Sequence, residues 1–92
     1  MNISVVVPLF NEEESIPELV DWINKVMYDH NFSYEIILID DGSKDNSWQE
    51  IEKIAETYGS VRAIKFKRNY GKSGALHNGF ETAEGDVVIT MD

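Results

Sequence analysis

Four short polar clusters carry the residue types of a ligand site. The first is Pro8-Leu9-Phe10-Asn11-Glu12-Glu13-Glu14. Its proline fixes the chain's exit from an apolar run, and its aromatic ring is suited to line a base or ribose pocket. Glu12 can accept hydrogen bonds from a base or from ribose hydroxyls. Acids here also suit the start of a helix, where carboxylates favour the dipole. That reading fits Glu13 and Glu14 better, and for Glu12 both stay open.

The second cluster is Asp40-Asp41-Gly42-Ser43-Lys44-Asp45. Adjacent carboxylates followed by glycine suit an acceptor pair in a tight turn, with Asp41 able to accept from a nucleobase imide or amine. A plain turn, with Asp45 or Ser47 capping the next helix, fits the same residues. A phosphoacceptor site of the receiver type would place its acidic pair after the first strand, where Pro8-Leu9 stands. The third cluster is Arg68-Asn69-Tyr70-Gly71-Lys72-Ser73-Gly74. Glycines, a lysine and a helix start can hold an anion on free backbone N–H groups and the helix dipole. A simple helix-start loop is the competing reading, and neither G-x-x-x-x-G-K-[ST] nor G-x-G-x-x-G is present. His77, which follows, reads as a surface or packing residue. The fourth cluster is Asp86-Val87-Val88-Ile89-Thr90-Met91-Asp92, whose last carboxylate can supply an oxygen ligand to a divalent cation. One carboxylate makes no metal site by itself, and an aspartate that merely ends a strand competes with that reading.

The segments between these clusters must position them. Residues 3–8 form a β-branched run that reads as a buried strand, and residues 34–39, 61–66 and 86–91 read likewise. Residues 15–30 place Ile16, Leu19, Val20, Ile23 and Met27 on one helix face, with a capping-box pattern in Ser15 and Glu18 and a tolerated Pro17. A second helix starts at Asp45 or Ser47, carries Trp48, Ile51, Ala55 and Tyr58 on one face, and ends at Gly59; a third spans 74–83. The order βαβαβαβ with near-continuous apolar strands predicts an α/β fold: a Rossmann-like parallel sheet with helices on both faces. Right-handed crossovers then put the ligand site outside the carboxyl ends of the strands, where all four clusters fall.

Composition narrows the function classes. The net charge of −9 argues against general nucleic-acid binding. Five of the eight basic residues nevertheless lie between Arg62 and Lys72, a local patch able to receive phosphate. The absence of cysteine excludes disulfides and thiolate metal sites. No apolar run approaches the roughly 20 residues that span a bilayer, and the start does not read as a signal peptide, so a cytoplasmic location is expected.

Taken in order, Val5-Val6-Val7-Pro8-Leu9-Phe10-Asn11-Glu12-Glu13, Ile39-Asp40-Asp41-Gly42-Ser43, Arg68-Asn69-Tyr70-Gly71-Lys72 and Gly85-Asp86-Val87-Val88-Ile89-Thr90-Met91-Asp92 resemble the start of a family 2 glycosyltransferase of GT-A fold. Asn11-Glu12-Glu13 and Arg68-Asn69-Tyr70-Gly71 look like its polyprenyl-phosphate branch. The resemblance implies that Pro8, Phe10, Glu12 and Asp41 line a nucleoside pocket, with Asp41 meeting the base and Lys72 approaching phosphate. It also implies that Asp92 is the first carboxylate of an Asp-x-Asp motif binding Mg²⁺ or Mn²⁺. The implied reaction moves a sugar, with inversion, from a nucleoside-diphosphate sugar to a polyprenyl phosphate. A saccharide acceptor in capsule, lipopolysaccharide or other surface glycan synthesis is the alternative, and a non-catalytic α/β binding or signalling module is the reading from another class. On this view residues 1–92 are the nucleotide-sugar-binding half of a longer protein at the cytoplasmic face of the membrane. The fragment itself is expected to hold no complete catalytic set, and an exposed fourth-strand edge is expected to promote self-association.

Overall fold

The computed structural model describes residues 2–91. Seven elements alternate: β1 (Ile3–Leu9), α1 (Ile16–Asp29), β2 (Tyr34–Asp40), α2 (Ser47–Thr57), β3 (Val61–Lys65), α3 (Lys72–Thr82) and β4 (Val87–Thr90). All strand pairs are parallel, and the order across the sheet is β3-β2-β1-β4. The first two crossovers move outward from β1 to β3. The third returns to the far side of β1. Because parallel crossovers are right-handed, that reversal puts α3 on the opposite face from α1 and α2.

Strand alternation then builds two cores. Val5, Val7, Ile36 and Leu38 point to one face, where Ile16, Val20, Ile23 and Met27 of α1 and Ile51 and Ile54 of α2 cover them. Val6, Ile37 and Ile39 point to the other face and meet Ala75 of α3. Gly79 lets α3 lie directly on the sheet, since a Cβ there would sit 2.3 Å from Val6 Cγ1. The expected sheet with helices on both faces is therefore the observed one, with the reversal in strand order falling between β1 and β4.

Several local expectations change. Ser15 stands before α1 with φ −87° and ψ −22°, already helical, and makes no capping bond to the helix backbone. Its hydroxyl donates to Glu12 Oε2 at 3.2 Å instead, so the capping box with Glu18 does not form. The residue before α2 is Asn46, also without a side-chain cap. Asp45 supplies the acceptor from one position upstream, taking the Ser47 N–H at 2.9 Å. α2 passes into extended backbone at Tyr58, so Gly59 is not a left-handed cap; after α1 that conformation falls to Asn31, at φ 60°. α3 begins at Lys72 rather than Gly74, because Gly71 at φ 89° turns the chain into it.

A buried polar group ties the amino ends of the strands together. Glu35 is 2% exposed and faces Ser4 across the β1–β2 pair. It accepts from the Ser4 hydroxyl, from Glu84 N–H at 2.7 Å and from Arg62 Nη1 at 3.0 Å. Ser4 in turn accepts Gly85 N–H at 2.8 Å. These bonds fix the α3–β4 connection, and with it a strand that, among the described residues, pairs on one edge only. Burial pushes the Glu35 pKa up, but the Ser4 hydroxyl, the Glu84 amide and Arg62 together outweigh it and hold the carboxyl below its ordinary 4.5.

Two predictions follow from this packing. Gly79→Ala should cost about 1–3 kcal/mol by overpacking, whereas Gly59→Ala, with nothing within 4 Å and no positive φ, should be neutral or slightly stabilising. Urea unfolding of the two variants checks this, and equal midpoints would contradict it. A folded-state pKa below the unfolded one gives stability that is full above about pH 4.5 and drains away as pH falls through the lowered value. Glu35→Gln should therefore lower stability at pH 7 and flatten its decline below pH 4.5; an unchanged slope would contradict the assignment.

Candidate functional site

The carboxyl ends of β1, β2 and β3 are level: Leu9 pairs with Asp40, and Asp40 with Lys65. The loops leaving them therefore emerge on one rim. Asp40 continues the alternation of Ile36 and Leu38 and turns into the protein. It is fully buried, and Oδ1 accepts Ser43 N–H at 2.9 Å. Its Oδ2 has no partner among the described residues. Asp41 turns the opposite way, toward the cleft. The expected acceptor pair is thus split by the strand's own geometry, one carboxylate structural and one facing the rim.

Asp41 is 4% exposed and held twice. Its N–H donates to Leu9 O at 2.8 Å, and its Oδ1 accepts Tyr70 N–H at 2.8 Å. The second bond draws the β3–α3 loop onto the Asp41-Gly42 turn. Gly42 makes that approach feasible: it adopts φ 76°, and a Cβ there would lie 2.3 Å from Arg68 C and 2.4 Å from Asn69 N. Around Tyr70, Phe66 packs edge-on at 5.5 Å and the Arg68 guanidinium lies 4.9 Å over the ring.

An open cleft of ~280 Å³ results. Pro8, Leu9, Phe10 and Glu12 line it from β1 and its loop, Asp41 from the turn after β2, and Asn69, Gly71 and Lys72 from the entry to α3. Pro8, Phe10, Glu12, Asp41 and Lys72, the five residues expected to meet the nucleotide, all line this one cleft. Phe10 is 41% exposed, so its ring is available to a flat ligand. Lys72 falls in the first turn of α3. His77 is exposed and pairs with Glu81 at 2.9 Å, away from the cleft lining.

The expected metal ligand Asp92 lies outside the described residues. Among the described residues no group of three or more His, Asp or Glu side chains is assembled to hold a cation. Nor, among them, is any helix long and apolar enough to cross a membrane.

The loops are also joined by hydrogen bonds that no motif in the sequence announces. Asn11 N–H donates to Ser43 Oγ, and Glu12 N–H to Ser47 Oγ, each at 2.9 Å. Asn11 Oδ1 accepts Lys44 N–H at 2.9 Å, and Asp45 Oδ2 accepts Glu13 N–H at 3.5 Å. The Ser47 hydroxyl, then its own amide and that of Glu13, hold the Asp45 carboxyl below the usual aspartate range despite partial burial. The one signal at Asn11 is its residue type, since asparagine adopts the left-handed region more readily than most side chains. The serines had no distinguishing signal, because their partners lie over 30 positions away.

Comparison with known proteins agrees with this arrangement. Residues 4–92 match the family described as Glycosyl transferase family 2. The chain is 48% identical, over 91 residues, to an undecaprenyl-phosphate 4-deoxy-4-formamido-L-arabinose transferase of Pseudomonas fluorescens, covering 98% of this chain and 27% of that protein. A Proteus mirabilis protein of the same name is 46% identical, with 98% and 28% covered. The chain thus spans about a quarter of the length of these relatives. Among solved structures, residues 1–349 of S. aureus TarS superpose with a TM-score of 0.84 at 28% identity, over 100% of this chain and 27% of that one. The mannosyltransferase PcManGT from Pyrobaculum calidifontis, in complex with GDP-Man and Mn²⁺, gives 0.81 at 26%, covering 95% and 26%. TarS has also been solved with UDP-GlcNAc. With the GT-A architecture of those neighbours and a family match across nearly its whole length, the chain belongs to glycosyl transferase family 2.

Proposed function

We propose that the cleft receives the nucleoside diphosphate of a nucleotide sugar. In the longer protein the sugar then passes, with inversion, to a polyprenyl phosphate at the cytoplasmic face of a membrane. The observation that carries the reading is the convergence of an exposed aromatic ring, a buried acceptor carboxylate and a helix-start lysine on one rim. Each suits one part of the ligand. Phe10 and Pro8 offer apolar contact to a base or ribose. Asp41, with Oδ1 committed to Tyr70, can accept from a base N–H. Glu12 can accept from ribose hydroxyls, and Lys72 can neutralise phosphate at the amino end of α3.

The acceptor assignment leans on the names of the relatives, which are undecaprenyl-phosphate transferases. A divalent cation, held in part by Asp92, would supply Lewis-acid stabilisation of the departing diphosphate. PcManGT, solved with GDP-Man and Mn²⁺, supports that choice. This chain's own residues bind and orient the nucleotide. The chain taken alone is expected not to catalyse transfer.

β4 is an edge strand of the described sheet. Val87, Val88 and Ile89 are 55%, 39% and 39% exposed, and no strand pairs beyond them among the described residues. Such an edge invites pairing with another chain. Sedimentation should show concentration-dependent self-association, and a clean monomer at high concentration would count against it.

Titration with UDP or GDP in the presence of Mn²⁺ should shift the amide resonances of Phe10 and Asp41 while leaving the amino-end residues Ser4 and Glu35 unmoved. Asp41→Asn keeps an acceptor for Tyr70 but removes the charge. It should weaken the preferred nucleotide at least tenfold, in line with the roughly 1.5–3 kcal/mol of a hydrogen bond to a charged group. Absence of shifts at both residues with both nucleotides would sink the proposal and favour a non-catalytic module.

A further inference from the structure

Asn11 does not line the cleft, yet it stands between Phe10 and Glu12, which do. Its backbone is left-handed, with φ 52°, a conformation asparagine adopts more readily than most side chains. That turn lets a single residue grip the β2–α2 loop twice. Its N–H donates to Ser43 Oγ at 2.9 Å, and its Oδ1 accepts Lys44 N–H at 2.9 Å. Ser43 is itself fixed from beneath, since its N–H donates to the fully buried Asp40. The grip therefore reaches from an exposed loop to the end of a core strand.

We infer that Asn11 is a positioning residue for nucleotide binding, stapling the Phe10–Glu12 wall of the cleft to the turn that carries Asp41. The inference rests on the nucleotide reading of the cleft. Its physical basis is preorganisation. The Asn11 bonds are exposed to solvent and add little to global stability. They do remove a pivot between two walls that would otherwise have to be ordered when ligand arrives, a cost that appears directly in affinity. Asn11 and Gly42 play matching parts: one left-handed residue on each loop turns its chain so that neighbouring strands' loops can touch.

The test compares the wild-type 92-residue chain with variants, by calorimetric titration with UDP and with GDP in the presence of Mn²⁺. Asn11→Gly keeps the left-handed backbone and removes only the side-chain acceptor. Ser43→Ala removes the acceptor of Asn11 N–H, and Ser43→Thr restores a hydroxyl. Asn11→Gly and Ser43→Ala should each weaken nucleotide binding about five- to tenfold, the loss of roughly one hydrogen bond. Their melting midpoints should stay near that of the wild type. Ser43→Thr should bind within about twofold of the wild type. The double variant should fall short of the product of the single effects, because both bonds brace the same contact between Asn11 and the β2–α2 loop. Wild-type affinity in both single variants overturns the inference while leaving the nucleotide reading intact. So does a loss that Ser43→Thr does not recover, or one that tracks a falling melting midpoint. Binding of neither nucleotide by the wild type overturns the nucleotide reading and this inference with it.

Discussion

Asp41 accepts the Tyr70 N–H from a position almost closed to solvent, and the spacing of the rim depends on that bond. A carboxylate buried this far needs a partner, and the Tyr70 N–H of the docked β3–α3 loop supplies one. Gly42 is the steric condition for the same contact, because any side chain there would collide with the Arg68–Asn69 backbone. Phe66 and Arg68 then hold the Tyr70 ring from two sides. Asn69, Gly71 and Lys72 reach the cleft as a consequence of this docking.

The two ends of the sheet divide their labour. At the amino ends, Glu35 gathers the Ser4 hydroxyl, the Glu84 amide and Arg62 into a nearly satisfied buried group, which secures β4 and the turn leading to it. At the carboxyl ends the polar groups are satisfied loop to loop, and the surfaces left over face the cleft. Asp40 marks the boundary. It serves the fold through Ser43 N–H, yet keeps one oxygen without a partner among the described residues. Its neighbour Asp41 belongs to the rim. Period-two alternation, acting on two identical residues, is enough to give them different roles.

The sheet is also unequal from side to side. β1 and β2 are buried on both faces, whereas β4 is exposed along its described length. Trp22, Val26 and Met27 of α1 form an apolar groove with Ile89 and Met91 beside that strand. The chain spans about a quarter of its curated relatives, so in proteins of that length more polypeptide is at hand for such a surface. Small parallel sheets normally rely on cover from both faces, and β4 has little of it here.

Much of this was legible in the sequence because it follows from periodicity. Uninterrupted apolar runs such as Val5-Val6-Val7 and Ile36-Ile37-Leu38-Ile39 specify strands buried on both faces. The Ile16, Val20, Ile23 and Met27 spacing specifies the helix face that covers one of them. Strand ends then place Pro8, Phe10, Glu12, Asp41 and Lys72 on one rim, because the carboxyl ends of parallel strands lie on the same side of the sheet. What periodicity could not determine were the bonds between distant loops: Asn11 to Ser43, Glu12 to Ser47, Tyr70 to Asp41. Local rules even pointed astray, giving Ser15 and Glu18 a capping box where Ser15 reaches back to Glu12. Those choices needed the tertiary structure, because a hydroxyl or amide takes whichever partner the packed strands bring within about 3 Å, and no spacing along the chain encodes that encounter.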